Sequence, residues 1–231
     1  MNDVPAELRN KLCVALDVDD LVEAVRLAKT LSPWFGAAKV GLELFSAAGT
    51  DAIGTLVGMG YDVFLDLKMY DIPTTVEKSS RVLGALGVTY ATYHAQGGLD
   101  VLKAGAEGLR AGASNAGLDE PKPLAITVLT SDADAPEHIL PKRVMTAVEA
   151  GMAGLVCGAG DVKDAKSYAP RLMAVTPGIR PEGVDHHDQV KVATPKAALD
   201  AGSDLLVIGR AVTLAEDKEA AAEAIVNSAL S

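Results

Sequence analysis

The sequence predicts a (β/α)8 barrel, an α/β fold in which each strand of a parallel sheet is followed by a helix. Apolar strand-like runs alternate with helix-spaced segments from end to end, and such alternation implies a parallel sheet. Eight runs fit within 231 residues, a length suited to one barrel of this kind. No Gly-x-Gly-x-x-Gly follows the first run, which removes the main cue for an open dinucleotide-binding sheet. The expected organisation is one domain spanning residues 1–231.

In chain order the predicted strands are Leu12–Leu16, Ala37–Gly41, Tyr61–Leu67, Val88–Tyr93, Leu124–Leu129, Gly154–Cys157, Leu172–Thr176 and Asp204–Ile208. Between them lie segments with helical spacing, such as Leu21, Val25, Ala28 and Leu31, or Val76, Ser79, Leu83 and Leu86. Asp19 and Asp20 precede the first of these as candidate caps, and Pro73 suits a first helical position. Gly60, Gly87, Gly151 and Gly202 fall between helical segments and strands, where a left-handed C-cap is expected.

Composition limits the function classes. The net charge of −10 argues against nucleic acid or an anionic membrane as partner. A small anionic ligand remains possible if positive charge gathers at one site. Aromatic residues make up only 4% of the chain, so the core must be built from Ala, Val, Leu and Ile. No apolar run approaches the length of a membrane span. The segment Met1-Asn-Asp-Val-Pro-Ala-Glu7 lacks a basic region followed by an apolar one. Cys13 and Cys157 both fall in apolar strand-like runs and read as buried free thiols in a reducing compartment. A cytoplasmic enzyme-like protein is expected.

Active sites of such barrels lie at the C-terminal ends of the strands. Those ends carry Asp17, Lys39, Asp66 with Lys68, His94, Thr130, the turn Thr176-Pro-Gly-Ile-Arg180, and Gly209-Arg210. Only the sixth, with Gly158, brings no chemistry. The densest cluster is Asp66-Leu-Lys68-Met-Tyr-Asp71. Side chains two apart on a strand share a face, which predicts that Asp66 and Lys68 point the same way. Burying such a pair is costly, and a hydrophobic pair of similar volume often serves stability as well. Lys68 between two carboxylates therefore reads as a fixed proton donor. A structural ion pair closing the barrel rim fits the same residues. Asp71 also fits the cap region of the following helix, where an anion suits the dipole.

Gly209-Arg210 reads as an anion site, since glycine lets backbone approach a ligand and Arg supplies a planar fork. Barrels often bind phosphate after strands seven and eight. The segment from Pro177 to Lys191 carries Arg180 and Gln189, and its length suits a lid. His186-His187 and His138 lack metal-ligand spacing, and His94 reads as structural. With no Cys/His cluster and no nucleophilic Ser motif, the expected chemistry needs no cofactor and no metal.

Taken together the motifs resemble the orotidine 5′-phosphate decarboxylases, of bacterial type. The resemblance runs through Val14-Ala-Leu-Asp17, Lys39-Val-Gly-Leu42, Asp66 to Thr75, Thr127-Val-Leu-Thr-Ser131, Val175 to Arg180, Asp188 to Pro195 and Val207-Ile-Gly-Arg210. It implies that Lys68 protonates C6 of the pyrimidine as carbon dioxide departs, with Asp66 beside the substrate carboxylate. Lys39 and Asp17 would contact the ribose within the same charge network. Asp71, Ile72 and Thr75 would reach into the neighbouring subunit's site, which implies a homodimer with shared active sites. Thr130 would contact the pyrimidine. Gln189, Gly209 and Arg210 would bind phosphate, and Arg180 would belong to a closing loop. The sequence departs from the family at Gln96, where a small residue usually precedes the paired glycines. Two other readings share parts of the pattern. One is a related barrel that decarboxylates a β-keto sugar acid phosphate with magnesium, using the same Asp-x-Lys-x-x-Asp. The other is a non-catalytic nucleotide-binding barrel, which would have no need of Lys68 between carboxylates.

Overall fold

In the computed structural model, residues 4–132, 135–181 and 193–231 are described. Eight parallel strands close into a barrel: β1 (Leu12–Ala15), β2 (Ala37–Gly41), β3 (Asp62–Met69), β4 (Tyr90–His94), β5 (Lys122–Ile126), β6 (Gly154–Val156), β7 (Met173–Pro177) and β8 (Leu205–Ile208). The sheet follows chain order and β1 pairs with β8, so no edge is left open.

Alternation along each strand divides the apolar residues between two cores. Cys13, Ala15, Phe64, Tyr90, Leu124, Ile126, Val175, Leu205 and Val207 fill the barrel interior. Their neighbours Leu12, Val14, Val63, Leu65, Ala125, Leu206 and Ile208 face the surrounding helices. The interior has few aromatics to fill it, and Phe64 and Tyr90 meet edge-to-face with ring centres 6.0 Å apart.

The punctuation follows the sequence closely. Asp20 caps its helix by accepting the Glu23 N–H at 2.8 Å. Pro73 opens the Pro73–Gly84 helix, and Gly60, Gly87, Gly151 and Gly202 all take positive φ. Strand limits differ at several ends. β3 runs through Lys68 to Met69, and β4 begins at Tyr90 rather than Val88 and includes His94. β5 ends at Ile126, so Val128 and Leu129 lie beyond the strand rather than within it. Ladder partners, not the extent of an apolar run, set these limits.

The helix that follows β3 is held unusually close to its neighbour. A Cβ on Gly108 or Gly112 of the Gly98–Asn115 helix would lie 2.3 Å from Glu77 O or 2.0 Å from Arg81 O. Glycine is thus required for this approach. Gln96 is exposed in a short turn after β4, so the residue that departs from the family pattern leaves the strand packing untouched. Among the described residues no helix is long and apolar enough to cross a membrane.

Candidate active site

The C-terminal ends of the strands open into a cavity of about 500 Å3, within the range of small-molecule sites. Asp17, just past β1, Lys39 of β2, and Asp66 and Lys68 of β3 line one side. Thr130 follows β5, Arg180 follows β7, and Gly209 and Arg210 follow β8 on the other side. Apolar residues including Phe64, Ile126, Val156 and Val207 form the wall between.

On the first side the charges alternate. Lys39 Nζ lies 2.7 Å from Asp17 Oδ1 and 3.9 Å from Asp66 Oδ2, and Lys68 Nζ lies 2.9 Å from the same Asp66 oxygen. Burial works against the charge of Lys39, but Asp17 and Asp66 outweigh it and hold its pKa above the usual lysine value. Space for this row comes from Gly41, where a Cβ would sit 2.8 Å from Asp17 Oδ1 and 2.9 Å from Lys39 Nζ.

Asp66 and Lys68 do converge, though not by simple alternation. The β3–β4 register shifts between Leu65 and Met69. Lys68 adopts φ +51°, the sole positive φ among the described non-glycine residues. The left-handed region costs an L-residue roughly 1–2 kcal/mol. Such strain concentrates at functional sites, where the surrounding structure imposes it. Here Thr92 accepts the Lys68 N–H at 2.9 Å and donates to Asp66 Oδ1 at 3.0 Å. Thr92 was not among the sequence-derived candidates, yet it shares a strand face with Tyr90 and His94, and that alternation was the available signal.

Asp71, Ile72 and Thr75 are exposed and do not line this chain's own cavity. Asp71 Oδ1 accepts the N–H of Ile72 at 2.6 Å, and Ile72 is 66% exposed. Arg180 is buried, and its N–H donates to Ala193 O at 2.9 Å. Gln189, His186 and His187 lie outside the described residues, as does most of the segment read as a lid.

His94 tops β4, where its Nδ1 accepts the Gln96 N–H at 3.2 Å. Burial, Arg143 and Lys68 hold its pKa below the ordinary histidine value. The two cysteines are buried, and burial raises both thiols, Cys157 to about 12. Neither is a nucleophile at neutral pH. Among the described residues no group of three His, Cys, Asp or Glu is placed to hold a metal ion.

Comparison with known proteins settles the lineage. Residues 10–225 match the model of the family described as Orotidine 5′-phosphate decarboxylase / HUMPS family. The chain belongs to that family. It is 42% identical over 226 residues to a Lactobacillus acidophilus protein named orotidine 5′-phosphate decarboxylase, covering 92% of this chain and 95% of that one. A Moorella thermoacetica protein of the same name is 42% identical over 231 residues, covering 94% of this chain and 91% of that one. The crystal structure of the Lactobacillus acidophilus orotidine 5′-phosphate decarboxylase superposes with a TM-score of 0.80 at 38% identity, covering 96% of this chain and all of that one.

Proposed function

We propose that this chain decarboxylates orotidine 5′-phosphate to uridine 5′-phosphate, the last step of de novo pyrimidine nucleotide synthesis. The observation that carries the reading is the fixed row Asp17–Lys39–Asp66–Lys68 facing Arg180 and Arg210 across one cavity. The names of its relatives, at about two-fifths identity over nearly the whole chain, point to the same reaction.

In the step proposed, the bond from C6 to the carboxylate breaks and its electron pair stays on C6. That pair lies in an orbital the ring π-system cannot delocalise. The proton comes from Lys68 Nζ, carbon dioxide leaves, and the neutral amine regains a proton from water. Enzymes lower such barriers by roughly 8–23 kcal/mol, and preorganised charge is generally the largest part. An ammonium fixed beside C6 is attracted to charge present late in the reaction, which favours the transition state over the substrate. Asp66, 2.9 Å from Lys68 Nζ, orients that group beside the departing carboxylate. Lys39 and Asp17 meet the ribose, and Thr130 meets the pyrimidine.

Gly209, Arg210 and Gln189 take the phosphate in this reading, and Arg180 belongs to the closing loop. Among the described residues, a Cβ at Gly209 would meet only Ala15 Cβ, at 3.6 Å. The packing of the described residues leaves space at that backbone, which suits close approach of a ligand. Binding energy from the phosphate then positions the ring, whose reacting atoms need no contact with those residues.

The proposal includes a two-fold dimer with shared sites, supported by the exposure of Asp71, Ile72 and Thr75 away from this chain's own cavity. Mixing inactive Lys68→Ala and Asp71→Ala proteins should restore activity through hybrid dimers. No recovery despite proven subunit exchange would remove the shared-site part of the proposal.

The reaction itself is tested with purified protein treated with a chelator and supplied with orotidine 5′-phosphate. Loss of the orotate absorbance with formation of uridine 5′-phosphate is expected. Nucleotide binding without turnover would instead indicate a binding protein. Turnover confined to a β-keto sugar acid phosphate with magnesium would indicate the other reaction.

A further inference from the structure

β3 and β4 do not match residue for residue near their C-terminal ends. Leu65 pairs with Ala91, and the next pair is Met69 with Tyr93. Asp66, Leu67 and Lys68 are therefore opposed by Thr92 alone. Thr92 is fully buried, and it does not itself line the cavity. A hydroxyl has one proton to give and two lone pairs. This one gives its proton to Asp66 Oδ1 at 3.0 Å and accepts the Lys68 N–H at 2.9 Å.

We infer that Thr92 is a positioning residue for the proposed decarboxylation, acting on substrate only through Asp66 and Lys68. The inference rests on the decarboxylase reading for its effect on turnover. Its geometric content stands apart from that reading. Lys68 sits at φ +51°, a conformation that its own side chain disfavours and that neighbours must impose. Thr92 holds the amide that this conformation presents. It also occupies one Asp66 oxygen, which leaves Oδ2 facing Lys68 Nζ at 2.9 Å and Lys39 Nζ at 3.9 Å. A carboxylate tied at one oxygen cannot turn freely about its last torsion. One hydroxyl thus fixes both the backbone of the lysine and the group that orients its ammonium.

Two pairs of side chains isolate the hydroxyl: Thr against Val, of equal shape, and Ser against Ala, which leave similar gaps. For Thr92→Val, Thr92→Ser and Thr92→Ala, three quantities are measured: steady-state constants with orotidine 5′-phosphate, the melting temperature, and hydrogen exchange at the Lys68 amide. In each pair the residue without a hydroxyl should lower kcat by about 10- to 100-fold, the scale of losing a positioning contact. KM should stay within about threefold, the Lys68 amide should exchange faster, and Thr92→Ser should recover most of kcat. If Thr92→Val does not fold, the Ser and Ala variants decide by the same comparison. Equal kcat within a pair of folded proteins, or an unchanged Lys68 exchange rate, would overturn the inference, even if the variants melt earlier. If the unaltered protein has no activity on orotidine 5′-phosphate, the decarboxylase reading fails. Faster Lys68 exchange without the hydroxyl would then still uphold the positioning of the lysine.

Discussion

On the β1–β3 side of the cavity a Cβ added at Gly41 would strike Asp17 Oδ1 at 2.8 Å and Lys39 Nζ at 2.9 Å, whereas on the β8 side a Cβ at Gly209 would find, among the described residues, only Ala15 Cβ at 3.6 Å. The first glycine makes room for the chain's own charges. The second leaves room that the described residues do not fill. Around Gly41 the side chains are held by one another, with Asp66 placed between two ammoniums and tied to Thr92. The contrast teaches how the proposed work is divided. Groups that must meet charge developing during the reaction are fixed before substrate arrives, so little reorganisation remains at the moment of reaction. The region proposed for phosphate keeps open backbone near Arg210, and its interactions are completed by the ligand.

Alanine substitution at the two glycines tests that division. Gly41→Ala must displace the Lys39–Asp17 pair, and a misplacement near 1 Å costs about 100-fold in rate. A kcat reduced by about that factor is expected. Gly209→Ala meets no clash among the described residues. Its KM should rise about tenfold, the equivalent of about 1.4 kcal/mol of lost binding. Steady-state kinetics on both variants checks the split. If Gly209→Ala lowered kcat and spared KM, while Gly41→Ala did the reverse, the division would be wrong.

A smaller effect concerns pH. Burial, with the nearby Arg143 and Lys68 charges, lowers the His94 imidazole pKa. A base with a lowered folded pKa binds its proton more readily in the unfolded chain. Its contribution to stability is therefore present above the ordinary histidine value, about 6.5, and is lost as pH falls through that value towards the lowered one. Melting curves of the unaltered protein and of His94→Asn should diverge below about pH 6.5, with the histidine protein losing more stability. Parallel curves would show that His94 carries no such penalty.

The barrel was legible because its signals are local. The alternation of periods places strands and helices, and Asp20, Pro73 and the C-capping glycines mark helix ends. The charged residues of the candidate site were legible because a polar group at the end of an apolar strand is costly without a purpose. Other features depend on partners that a single segment does not reveal. Period-two alternation placed Asp66 and Lys68 together, but the register shift and the left-handed Lys68 arise from how β3 meets β4. Thr92 looked like an ordinary β-branched strand residue, since its role lies in the two groups it faces. The apolar run through Leu129 read as strand, though Val128 and Leu129 line the cavity beyond the end of β5. Asp71 stands in sequence beside Lys68, yet it lies outside the cavity that Lys68 enters.

The central claim is that Lys68, held in its row of charges, supplies the proton to C6. Turnover of orotidine 5′-phosphate by the folded Lys68→Ala protein, with uridine 5′-phosphate affinity measured on the same sample, tests it most directly. The expected result is a kcat lower by about 1,000-fold or more with the product still bound through the β7–β8 side. A Lys68→Ala protein that turns over at near the original rate would contradict the assignment.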